Sequence, residues 1–264
     1  AERQFKLNST AKVHTDNASI LFGGKLKTVT QLIKPWGTNS DESFSVPNAD
    51  TVVVLDFETT GLSPGEGDRA IEIGAVRIES GKVTARFQEL MNPGRRVDSF
   101  IESFTGITNL MLADARPCSD VMRDFADFIG EDNLVAHNAS FDKRFLDAEF
   151  ERIALSYTGQ FSCSMLAARR IFQQAPDHKL GTLVEFMNIP VEGVFHRALY
   201  DSEMTAKLWL AMLNDVRRRY PISAIDFKQM QRVAKTPKHA VGKFWEAPVS
   251  CDLGLPRRLA SNAQ

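Results

Sequence analysis

The stretch Thr51-Val-Val-Val-Leu-Asp-Phe-Glu-Thr-Thr-Gly-Leu62 decides how the rest of the chain is read. Val52 to Leu55 is a short, β-branched apolar run followed by turn residues, which predicts a buried β-strand. Side chains alternate faces along a strand, so Asp56 and Glu58 point the same way. Two carboxylates side by side at the end of a buried strand repel each other and resist desolvation. A divalent cation is the simplest counter-charge. An isolated Asp-x-Glu at a strand end is more often a solvated edge, so the pair gains meaning only if further ligands follow.

The 264 residues are 43% hydrophobic and 25% charged, the proportions of an ordinary soluble globular protein. Such a length holds one core of about 150–200 residues with extensions, or two small domains. A formal net charge of −1 excludes a strongly basic coat, though not nucleic acid bound in a local groove. Cys118, Cys163 and Cys251 are too few and too scattered for a disulfide framework or a zinc cluster. A reducing cytosol is the natural compartment. Nothing near the first residue resembles a signal peptide, and no apolar run reaches transmembrane length, so the expected location is cytoplasmic with no membrane partner.

Three regions are expected. Residues 1–49 form a polar, mixed N-terminal extension of unassigned role, in which 19–22 and 28–33 suit short strands or helix turns and 39–47 reads as a linker. Residues 50–220 carry the compact domain. There Arg69 to Ile78 alternates, Gly81-Lys82 turns, and Val83 to Met91 gives a third strand, so an antiparallel meander is predicted. Helices follow at 121–129, 141–153, 164–174, 179–187 and 198–218, the last stopped by Pro221, with short strands at 133–137 and 161–163. Strands first, then alternating helices and strands, give an α/β domain with one mixed sheet. Residues 221–264 lose strong periodicity and are locally basic (Lys228, Arg232, Lys235, Lys238, Lys243), a solvated tail or a docking arm.

Further acids appear on the helices. Asp142, Phe145, Leu146, Glu149 and Ile153 share one helical face, and Ser140 suits the N-cap, so Asp142 opens a core-facing stripe. It is either bonded to free helix N–H groups or a ligand. Asp201, Met204, Leu208 and Ala211 repeat the pattern on the last helix. His196 stands five residues before Asp201, about 140° from its face if both were helical, so it belongs on the loop before the helix. Beside an inward Asp it suits a general base, with a pKa near neutrality. Four carboxylates (Asp56, Glu58, Asp142 and Asp201) make an oxygen-only set that selects Mg²⁺ or Mn²⁺ over zinc. Their four charges match two divalent cations, the arrangement that clamps both oxygens of a phosphodiester displacement.

Asp56-Phe-Glu-Thr-Thr-Gly-Leu62, His137-Asn-Ala-Ser-Phe-Asp142 and His196-Arg-Ala-Leu-Tyr-Asp201 together resemble the three motifs of the DEDD superfamily of 3′–5′ exonucleases, in its His-containing branch, DEDDh. Phe104-Thr-Gly-Ile-Thr108 and His178-Lys-Leu-Gly-Thr-Leu183 resemble secondary blocks of that family, and the likeness covers roughly residues 50 to 215. The resemblance implies a ribonuclease-H-like fold with a five-stranded mixed sheet flanked by helices, and release of nucleoside 5′-monophosphates from a 3′ end. It implies Asp56, Glu58, Asp142 and Asp201 as ligands of two Mg²⁺ or Mn²⁺ ions, with His196 as base. Thr59, Thr60, Leu62, His137 and Phe141 are implied to line the pocket of the 3′-terminal nucleotide, Phe141 being equally suited to core packing with Phe145. The motifs are similar to those of the proofreading subunit of bacterial replicative polymerase, but some fifty residues precede the first of them here. A stand-alone exonuclease on single-stranded or frayed 3′ ends, with DNA favoured, is therefore the first expectation. A polymerase-associated proofreading or adaptor subunit, and an RNA 3′-end trimming enzyme working as a pair of copies, are the alternatives.

Overall fold

The computed structural model describes residues 48–191 and 197–247, and the backbone of two strands before them. Those two, β1 (Ala18–Phe22) and β2 (Lys25–Val29), pair antiparallel and lie within a unit of residues 1–45 that is separate from residues 46–264. Of the two expected forms, strand or helix turn, 19–22 and the start of 28–33 take the strand; residues 30–47 lie outside the described residues.

The larger unit is built on β3 (Val52–Thr59), β4 (Ala70–Glu79) and β5 (Lys82–Asn92), followed by α1 (Ser99–Thr105), α2 (Asn109–Ala113), β6 (Arg116–Pro117) and α3 (Cys118–Ile129). Then come β7 (Leu134–Ala136), α4 (Ser140–Arg152), β8 (Phe161–Cys163), α5 (Ser164–Ile171), α6 (Leu180–Phe186) and α7 (Ala198–Arg219). Two more helices, α8 (Phe227–Lys235) and α9 (Val241–Glu246), close the described chain. One sheet runs β6-β5-β4-β3-β7-β8: β3, β4 and β5 are the antiparallel meander, and β7 and β8 run parallel to β3. The five expected strands are all there. The sixth, β6, adds two residues parallel to β5, too few to leave a periodic signature in the sequence.

β3 is central and feeds both layers. Val52 and Val54 pack into a cluster with Trp209, Met212, Leu213 and Val216 of α7, while Val53, Leu55 and Phe57 pack with Phe125 of α3 and Phe145 of α4. Period-two alternation thus sends Asp56 and Glu58 along the α7 side, in continuation of Val52 and Val54. Burying each large side chain of these clusters contributes about 1.5–3 kcal/mol. Trp209, fully buried, also donates its indole N–H to the Ala49 carbonyl at 2.7 Å.

Residues beyond Pro221 depart from the expected solvated tail. Asp226 and Gln229 form a reciprocal capping box that starts α8. Ile225, Phe227, Met230, Val233, Val241 and Trp245 are buried in the α7-side cluster, while Lys228, Arg232, Lys235, Lys238 and Lys243 stay exposed. Lys228, Arg232 and Lys235 lie on the solvent side of α8 and Lys243 on that of α9, two short helices whose apolar residues run too briefly to stand out in the sequence. Residues 248–264 lie outside the described residues.

Candidate active site

Contacts among β3, β4 and α7 bring three of the acids together. β3 presents Asp56 and Glu58 on one face, and its antiparallel register sets Asp56 opposite Gly74 and Glu58 opposite Glu72. Gly74 lets α7 come close: a Cβ there would lie 2.0 Å from the Leu199 backbone nitrogen. Ser202 then donates its hydroxyl to the Gly74 carbonyl at 2.8 Å, which pins the first turn of α7 and with it Asp201. One carboxylate oxygen each from Asp56, Glu58 and Asp201 lies within 4.8 Å of the others.

Asp142 arrives from α4. Ser140 is the first residue of that helix rather than its cap; Ala139 holds the N-cap position without a side-chain bond, and Asn138 before it takes a positive φ of 65°. Asp142 is 1% exposed and its Oδ1 accepts the Phe57 N–H at 3.2 Å, which ties the first turn of α4 to β3. It stands outside the triplet of converging oxygens, yet its charge acts on Asp56. Of the two expected readings, the backbone one is seen in altered form: Asp142 accepts the Phe57 N–H of β3 and its own N–H.

The electrostatics record the crowding. Burial first, then the charges of Asp142, Glu58, Asp201 and Glu72, push the Asp56 carboxyl well above its ordinary range. Burial, then Asp201, Glu72 and Asp142, raise Glu58 to about 8, against a smaller opposing pull from Arg197. Burial raises Asp142 to about 7, partly offset by its backbone N–H donors. Acids in this state lack counter-charge, and an all-oxygen donor set at this spacing suits a hard divalent cation. The residues present fit such an ion.

A cavity of about 560 Å³ opens over the triplet. Thr59, Leu62, Phe100, Phe104 and Phe141 line it. Leu62 is 73% and Phe100 69% exposed, so the carboxylates face an apolar, ring-bearing rim. Phe100 and Phe104 stack on each other with centroids 6.0 Å apart and planes 13° from parallel. Phe141 packs on Phe145 at 5.0 Å, as one expectation had it, and it also lines the cavity. A wider groove of about 930 Å³, lined among others by Lys143, Asp147, Tyr157 and Gln231, contains none of these residues.

A model of the RNase T exonuclease family matches residues 53–209, more than half of the chain. The chain belongs to this exonuclease family. Its relatives include the PolC-type DNA polymerase III of Bacillus cereus, 39% identical over 168 residues, and that of Oceanobacillus iheyensis, 41% identical over 160 residues. These alignments take in 63% and 60% of this chain but only 12% and 11% of the polymerases, so the chain spans a small part of the length of these relatives. Among solved structures, exonuclease X in complex with 5′ overhanging duplex DNA is 28% identical, with a TM-score of 0.55, covering 69% of this chain and 99% of that one. The nuclease domain of 3′hExo, a DEDDh family member bound to rAMP, shares the fold at 22% identity and a TM-score of 0.54, over 63% of this chain and 92% of its own. The domain is thus an exonuclease domain of this family, and its sheet shares the fold of exonuclease X and of the DEDDh member.

Within the exonuclease domain, not every expected site residue reaches the cavity. Thr60 turns away: its hydroxyl donates to Asp68 at 3.0 Å and accepts the Arg69 N–H at 3.1 Å. His137 is held by the protein, its Nε2 donating to the His178 carbonyl at 3.0 Å and its Nδ1 meeting the Ser164 hydroxyl at 2.9 Å. Burial lowers its pKa to about 4, so it is neutral. Neither residue lines the cavity, and both instead brace the backbone beside it. His196 lies outside the described residues. Four residues were not anticipated at the site. Asp68 clasps the turn that carries Leu62, accepting the Thr60 hydroxyl and the Ser63 N–H at 3.0 Å each. Phe100 and Phe104 come from a seven-residue helix too short to show its period, though their i, i+4 spacing was visible. Glu72 sits fully buried beside the acids, an ionisable residue inside the apolar run Ala70 to Val76 that flags it in retrospect.

Proposed function

We propose that the protein is a metal-dependent 3′–5′ exonuclease that releases nucleoside 5′-monophosphates from single-stranded or frayed 3′ ends, with DNA as the favoured polymer. The observation that carries this reading is the convergence of Asp56, Glu58 and Asp201 oxygens within 4.8 Å beneath an apolar, aromatic rim. Asp56, Glu58, Asp142 and Asp201 would hold two divalent cations, Mg²⁺ or Mn²⁺. When bound, these ions would bring positive charge among the acids and stabilise negative charge on the reacting phosphate.

The chain's own groups divide the remaining work. His196, five residues before Asp201 in sequence, takes the proton of the attacking water. Leu62, with Phe100, Phe104 and Phe141, holds an unstacked terminal base by its faces without reading its identity. Such a rim accepts a base only after it has left a duplex, which favours single-stranded or frayed ends. Residues 50–220 act as the exonuclease domain in this reading, in a cytoplasmic protein; no helix among the described residues is long and apolar enough to cross a membrane. The PolC-type relatives favour a second reading, in which the chain proofreads for a polymerase.

Matched DNA and RNA oligonucleotides, labelled at the 3′ or the 5′ end and incubated with Mn²⁺, test the proposal. Mononucleotides leaving the 3′-labelled DNA first are the expected products. Internal cuts, or release from the 5′ end, would overturn it. Faster digestion of RNA would move the substrate class, and a rate increase with a replicative polymerase present would favour the proofreading reading.

A further inference from the structure

We propose that Glu72 is a positioning residue of the active site, acting through Arg197 and the first turn of α7. The inference rests on the exonuclease reading above.

Glu72 lies on β4, next to the strand that carries Asp56 and Glu58, and is 0% exposed. Its carboxylate accepts Arg197 Nη2 at 2.7 Å and Nε at 3.1 Å, the Ala198 N–H at 3.1 Å, and the Gln88 side-chain amide at 2.9 Å. Arg197 is the N-cap of α7 and supplies no capping side chain of its own. Glu72 does that work from another element: it satisfies one of the orphan N–H groups of the helix start and adds an ion pair to the residue before it.

The same strand makes two further contacts with that turn. Gly74 admits the Leu199 backbone, and its carbonyl accepts the Ser202 hydroxyl. Asp201 lies between Leu199 and Ser202 in sequence, so β4 determines where Asp201 stands relative to Asp56 and Glu58. His196 directly precedes Arg197, so the same ion pair anchors the chain next to the proposed base.

An ordinary stabilising ion pair is the competing account. The location argues against it: Glu72 adds one more negative charge beside Asp56 and Glu58, and both are raised partly by it. A neutral Gln would fill the same space without that repulsion. A carboxylate kept at this point secures the cationic anchor of α7 at a cost to the surrounding acids.

The full chain carrying Glu72→Gln, Arg197→Met or both would be assayed on a 3′-labelled oligonucleotide with Mn²⁺. Melting temperature and backbone hydrogen exchange would be recorded on the same samples. Each single change is expected to lower kcat on the order of 10–100-fold, as loss of an orienting partner does. KM should stay within about twofold, because the substrate rim is untouched. The double variant should be no worse than the poorer single one. Amides of 198–202 should exchange faster while those of 205–216 keep their protection. Losses that multiply in the double variant, or that appear in KM alone, would overturn the proposal, as would unchanged exchange at 198–202. If Glu72→Gln does not fold, Arg197→Met and Arg197→Lys carry the test at a side chain that is 40% exposed, with Lys expected to recover part of kcat. An inactive wild-type chain defeats the exonuclease reading alone, since the exchange experiment needs no activity.

Discussion

Glu58 and Glu72 are direct partners in register across β3 and β4, and both are buried, yet the protein treats them in opposite ways. Glu72 is met by Arg197, and Glu149 on α4 is met by Arg69 through two bonds of 2.8 and 2.9 Å. Glu58 stands with Asp56 and Asp201, and burial together with the surrounding acids raises the carboxyls of Asp56 and Glu58. A buried carboxylate needs a counter-charge. Glu72 and Glu149, which hold other parts of the chain in place, are each met directly by an arginine. Asp56 and Glu58, whose carboxyls are raised, suit a bound cation instead. In the functional cluster instability is retained because the site must bind something; in the paired acids there is nothing left to bind.

That contrast can be broken most forcefully at Asp56. Asp56→Ala should lower exonuclease turnover by at least 10²–10³-fold, about the loss seen when one group aimed at transition-state charge is removed. The same variant, or Asp56→Asn, should melt higher than wild type without divalent cations, because repulsion is relieved. Comparable turnover in wild type and variant would remove Asp56 from the chemistry. At Glu149 the signs reverse. Glu149→Ala should cost about 3 kcal/mol in denaturant unfolding, since it strands Arg69 beside the core, and cations should not restore it. A loss below about 1 kcal/mol would show that this pair is no better compensated than a surface one.

The pH response sharpens the same difference. Glu58 and Asp142 sit near 8 and 7, above their ordinary values. A group whose pKa is raised in the folded state contributes stability below its unfolded value and loses it as pH rises through the folded one. In EDTA the melting temperature should therefore fall from about pH 5 to about pH 8, and Mn²⁺ should raise it most at the alkaline end. A flat profile in EDTA would mean that the acids are already compensated within the chain. The smallest effect is expected at the rim: Phe100→Ala should weaken binding of a single-stranded oligonucleotide by about 1 kcal/mol, roughly fivefold, with kcat unchanged. An equal loss for blunt duplex ends would argue against a stacking role.

Much of this was legible in the chain because the chemistry is local. Asp56 and Glu58 share a strand face by parity, and Asp142 and Asp201 each open an apolar helical stripe, so four carboxylates could be read from periodicity alone. The resemblance to the DEDDh motifs joined them into one site. What stayed hidden depends on distant parts meeting. The role of Glu72 requires β4 to lie under the start of α7, and Asp68 matters because the turn at 60–63 folds back onto it. His137 was expected beside the terminal-nucleotide pocket because the DEDDh resemblance implied it; its two ring nitrogens are occupied from α5 and from His178, contacts no spacing rule reveals. In α8 and α9 the apolar residues were present, but the cations between them gave the look of a tail.

Calorimetric titration of the metal-free full chain with Mn²⁺ near pH 7.5, repeated in buffers of different ionisation enthalpy, addresses the contrast between the two sets of acids most directly. Saturable binding of two ions per chain is expected, with release of protons, since raised carboxyls must deprotonate to become ligands, and with loss of that binding in Asp56→Asn but not in Glu149→Gln. Binding that releases no protons, or that survives Asp56→Asn unchanged, would contradict this expectation.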